Sequence, residues 1–71
     1  MPGQQRRHMK DIEEMTVVEI RQEIDTLHAQ FNLEAWKYLD KGNKAAGARA
    51  RKATLKLEKL YKAFRKATVN G

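Results

Sequence analysis

The chain has 71 residues and no Cys, which allows one small domain and excludes a disulfide framework or a thiolate metal site. No apolar run approaches the ~20 residues of a membrane span, and Met1 to Met9 lacks a signal-peptide apolar stretch, so a cytoplasmic location is expected. Charge is placed unevenly: residues 41–71 hold ten Lys and Arg against one acid, Glu58 (+9), and residues 1–40 hold five bases against eight acids (−3), which together give the net +6.

Residues 1–10, opening Met1-Pro2-Gly3-Gln4-Gln5-Arg6-Arg7, read as a mobile arm. Residues 11–71 read as a helical hairpin. Asp11 to Glu14 can open a short helix, but Thr16-Val17-Val18-Glu19 is the stronger start signal. It has the capping-box spacing, in which hydroxyl and carboxylate each bond the other residue's backbone N–H. Helix one is expected over about 16–40. Its apolar stripe is Val17, Ile20, Ile24, Leu27 and Phe31, with Tyr38 one heptad after Phe31. The turn falls at 41–43, where Gly42 tolerates positive φ and Asn43 suits an N-cap. Helix two is expected over about 44–68. Its stripe is Ala46, Ala50, Ala53, Leu57, Leu60, Phe64 and Ala67, an unbroken heptad alternation.

The stripes match when the chain folds back about Gly42. Pairs of constant sum lie opposite one another: Phe31 with Ala53, Leu27 with Leu57, Ile24 with Leu60, Ile20 with Phe64. Near the turn, Tyr38 pairs with Ala46. Glu34 interrupts the first stripe, opposite Ala50. The expected fold is all-α: an antiparallel, coiled-coil-like two-helix hairpin. Leu33, Trp36, Leu39 and Leu55 lie off both stripes. One hairpin cannot cover them and has little core, so they are expected to mediate self-association into a homodimer of four helices or a larger homo-oligomer.

Helix two would be roughly 37 Å long at ~1.5 Å per residue. Lys44, Arg51, Lys52, Lys59, Arg65 and Lys66 fall away from its stripe, with Arg49, Lys56 and Lys62 flanking them. A merely soluble helix interleaves Glu with Lys to gain i,i+4 pairs. Ten cations against one anion instead suit a polyanion, and a rigid ridge of this length can follow a DNA backbone without reading bases. There is no zinc-finger spacing, and the helices are too long and antiparallel for a helix-turn-helix. The aromatics fall mainly on the apolar stripes, which leaves no evident base-stacking platform; Tyr61 borders the stripe. A membrane surface fits poorly, because the apolar face of helix two is Ala-rich and already claimed by helix one.

No catalytic constellation is visible, and neither an enzymatic activity nor a cofactor is expected. The histidines are His8 and His28, there is no Ser, and no Gly-rich phosphate loop occurs. Sequence-independent DNA binding through helix two is therefore expected. The alternatives are a coiled-coil module docking an acidic partner protein, and an RNA-binding protein.

The run Lys41-Gly42-Asn43-Lys44-Ala45-Ala46-Gly47-Ala48-Arg49-Ala50-Arg51-Lys52, then Leu55 to Leu60 and Phe64-Arg65-Lys66, resembles the linker-histone-like nucleoid protein family first associated with chlamydiae. The likeness extends over residues 16–68. It implies a DNA-associated, nucleoid-located chromosomal protein with a helical, self-associating segment, and it matches Lys44, Arg49 and Arg51 to basic positions of the motif. Longer members carry a Lys/Ala/Pro-rich tail. The resemblance here is to a short form without it, the part linked more to self-association than to DNA condensation.

Overall fold

The computed structural model describes residues 11–70; the arm expected over residues 1–10 lies outside them. A 3-10 turn at Ile12–Glu14 leads into α1 (Val17–Lys41) and α2 (Lys44–Asn70). The two long helices pack against each other as a hairpin, and the 3-10 turn touches α2.

Local chemistry sets each boundary. Thr16 Oγ1 accepts from the Glu19 N–H at 3.1 Å, and Glu19 Oε1 accepts from the Thr16 N–H at 2.9 Å. This completes the capping box and satisfies two N–H groups that a bare helix start leaves without partners. At the other end Gly42 adopts φ 66°, ψ 25°, a left-handed conformation that a Cβ disfavours. The Gly42 N–H donates to the Tyr38 carbonyl and the Asn43 N–H to the Lys37 carbonyl. Asn43 then caps α2, its Oδ1 accepting from the Ala46 N–H at 3.1 Å.

Both stripes meet in one core. Ile20, Leu27, Ala53, Leu57 and Leu60 form a buried cluster, with Ile24, Phe31 and Ala63 packed against it. Ala46 and Ala50 extend the buried face toward the turn. Small residues on α2 let the helices approach closely there. The Tyr38 ring lies across Gly47, so that a Cβ at Gly47 would sit 2.7 Å from Tyr38 Cδ1.

Three stripe positions are more exposed than expected: Val17 (39%), Tyr38 (49%) and Phe64. Phe64, expected to face Ile20 in the core, remains 37% exposed. Ala63, beside it in sequence, is half-buried against the core cluster, and Phe64 lines an open groove with Ile24. The chain before α1 covers one flank of this end. Ile12 and Met15 pack against this end of the core, in a groove shared with Ile20, Ala63 and Ala67. They cover the Ala63 flank and leave the Phe64 flank open. Heptad spacing identifies a face; it does not reveal what covers each of its edges.

Gly47→Ala tests the close approach near the turn. Helix propensity alone favours Ala by about 1 kcal/mol, but the Tyr38 ring occupies the space. The substitution is expected to lower the melting temperature in the parent and raise it when Tyr38 is already Ala. Thermal melts of the four-member cycle measure the coupling, expected on the order of 1 kcal/mol. Equal stabilisation in both backgrounds would show that the ring does not hold this position.

Candidate nucleic-acid interface

All nine basic positions expected on helix two are exposed, but their surroundings sort them into groups. At about 3.6 residues per turn, Lys44, Arg51, Lys62 and Lys66 share the outer face of α2, opposite the buried Ala53, Leu57 and Leu60. Leu55 and Val69 stand on the same face, 61% and 81% exposed. Lys52, Lys56 and Lys59 turn toward one edge of the hairpin. There Lys56 and Lys59 line a groove with Glu19 and Glu23 of α1, and Lys59 and Lys62 line another with Asp11 and Glu13. Arg65 lies on the opposite edge, beside Arg21 of α1.

Arg49 has a structural partner. Its Nε is 3.0 Å from Oε1 of Glu34, the buried charged residue of the helix–helix face, 8% exposed. The pairing is ionic and not an aligned hydrogen bond, and Oε1 has no other bonding partner among the described residues. A carboxylate withdrawn from water requires such compensation, so part of Arg49's charge is spent within the fold.

Three pairings go beyond the sequence expectations. The Glu34–Arg49 pair has a sequence signal, because Glu34 interrupts the α1 stripe and Arg49 adjoins its expected neighbour Ala50. His28 Nε2 and the Tyr61 hydroxyl lie 2.7 Å apart and join the helices along the other edge; each taken singly reads as a rim residue. Lys41 Nζ lies 5.3 Å from the centroid of the Trp36 ring, a cation–π arrangement for which i,i+5 spacing gives no signal. At helical spacing the exposed Leu33 and Trp36 (51% and 48%) fall on the outer face of α1, and Leu39 (76%) falls at its edge, on the side of His28 and Asn32. Thus the basic ridge and this apolar ridge are on opposite faces of the hairpin.

The arrangement is an extended cationic helix on a short scaffold, and its grooves are open and shallow. A polyanion backbone is the ligand that such a surface suits. The family model described as Histone H1-like protein Hc1 matches residues 18–70. The chain belongs to this family. The match covers nearly all of both long helices and therefore the whole basic face. No curated protein and no solved structure matches the chain. Among the described residues, no helix is long and apolar enough to cross a membrane.

Proposed function

We propose that this Hc1-family protein is a histone-like, nucleoid-associated protein of the cytoplasm that binds DNA with little regard to sequence. The phosphate backbone would lie along the outer face of α2. The observation that carries the reading is the exposure of nine Lys and Arg on one helix of a chain in a histone-like family. Lys44, Arg51, Lys62 and Lys66 form the central ridge. Lys52, Lys56, Lys59 and Arg65 border it, and Arg49 contributes while tethered to Glu34. If about six phosphates are neutralised, log affinity should fall against log salt with a slope near −5, at ~0.9 per phosphate. Unrelated duplexes should give the same slope. Absence of binding at low salt, where this term is largest, would favour an acidic protein as the partner.

Self-association completes the proposal. Two α2 outer faces would repel each other, whereas the exposed Leu33, Trp36 and Leu39 of α1 carry no charge and leave α2 free. Pairing of α1 with α1 would form a four-helix assembly with a basic ridge on each outer side. Leu55, isolated within the α2 ridge, would serve a further interface in a larger assembly. Trp36→Glu is expected to shift the protein to monomer in light scattering without loss of helical signal, because the side chain is half-exposed in the single hairpin. A parent protein that stays monomeric at high concentration would remove the dimer from the account.

A further inference from the structure

We infer that the open edge of the hairpin around Phe64 and Tyr61 is a stacking site for unpaired bases of single-stranded nucleic acid. The inference rests on the nucleic-acid reading above and adds a second ligand form and a second site. Heptad spacing places Phe64 in the core, yet the structure leaves it 37% exposed, with Tyr61 41% exposed one turn earlier on α2. The two rings and Ile24 line an open groove of about 380 Å³, and Arg21 and Arg65 lie at its borders. An aromatic surface flanked by two guanidinium groups meets the two needs of a single strand: faces for bases and cations for the intervening phosphates. Arg can also stack on a base itself.

The location is specific to this edge. The opposite edge of the same core end is covered by Ile12 and Met15, and its grooves carry Glu13, Glu19 and Glu23. The acids near the open edge are Asp25 and Glu58. Asp25 pairs with Arg21 at 3.3 Å, and both side chains are well exposed; such a solvent-screened pair is readily replaced by a phosphate. Glu58 lines the next groove, with His28, Thr54 and the other side of Tyr61. The His28–Tyr61 pairing fixes the Tyr61 hydroxyl toward α1. A duplex cannot use the groove, because its bases are already stacked and paired. The outer ridge of α2 would thus take duplex backbone, and this edge would take strands that have opened.

Fluorescence anisotropy with a labelled oligothymidylate and a duplex of equal length tests the inference. Phe64→Leu keeps an apolar side chain and removes the aromatic face. It is expected to weaken single-strand binding by roughly tenfold, the scale of a single base–aromatic stack, and to leave duplex binding unchanged. Phe64→Trp should retain single-strand binding, and Tyr61→Phe, which removes only the hydroxyl, should do the same. Thermal melts identify any variant that fails to fold, and Tyr61→Leu, at the more exposed ring, then carries the test with the same expected loss. In the parent, single-strand binding should outlast duplex binding as salt rises, since stacking is insensitive to screening. A matched oligouridylate separates the sources: tighter binding than to oligothymidylate assigns RNA, the reverse assigns DNA, and either must depend on an aromatic residue 64. Equal weakening on both ligands with Phe64→Leu, or no change on either, overturns the site. Duplex binding without single-strand binding overturns it while leaving the proposed function intact, and failure to bind either ligand overturns both.

Discussion

Lys44→Glu combined with Arg51→Glu is expected to weaken duplex binding by about sixtyfold or more at ~0.1 M salt. Each phosphate left without its cation removes a factor of roughly eight, from ~0.9 counterions released per phosphate, and the new repulsion adds to this. Position sets this pair apart from the other basic residues. Both residues are exposed on the outer face of α2, away from the grooves that Lys56, Lys59 and Lys62 share with acids. Lys44 opens α2, where a carboxylate is favourable to the helix dipole. The fold should therefore survive, as circular dichroism would show. Reversing Lys59 or Lys62 would be less clean, because both line a groove with Asp11 and Glu13, and a folding defect would obscure the binding result. A folded double variant that binds like the parent would remove the outer face of α2 from the interface.

Leu57→Ala is expected to have the largest effect on stability. Leu57 is 5% exposed within the cluster of Ile20, Leu27, Ala53 and Leu60. Removing its branched end leaves a cavity that flanking helices fill only in part, which costs on the order of 2–5 kcal/mol. A domain of this size has roughly 0.1 kcal/mol per residue in total, so the change would take a large share of the stability. The melting temperature should fall by at least about 10 °C. Leu55→Ala is the control, the same chemistry two residues away on the same helix but 61% exposed. At low protein concentration it should change the melt by only a few degrees. Equal effects would show that the register of the hairpin is wrong.

Much of this fold is legible in the sequence because its signals are local. Thr16 and Glu19 stand at capping-box spacing, Gly42 supplies the one positive φ among the described residues, and Asn43 follows it as a cap. The two apolar stripes share a period, and folding at Gly42 brings them together. What is not legible depends on how the helices sit side by side. Phe64 and Ala63 are neighbours in sequence, and Ile12 and Met15, some fifty residues earlier, cover the Ala63 flank and not the Phe64 flank. Likewise, the basic positions are legible as a set, but not their division. Arg49 is held by Glu34, and Lys56 and Lys59 look toward the acidic flank of α1. Lys44 and Arg51 face outward. Charge counting sees the +9 of residues 41–71; only the packing of α1 shows which part of it is directed at a partner.

Backbone amide shifts of the isotope-labelled protein, followed during titration with a short duplex at low salt, locate the DNA contact residue by residue. Perturbations are expected along the outer face of α2, at Lys44, Arg51, Leu55, Lys62 and Lys66, and should vanish as salt is raised. The outer face of α1, at Val18, Leu33 and Trp36, should move little. Perturbations concentrated on α1, or none on either helix at saturating duplex, would contradict binding through α2.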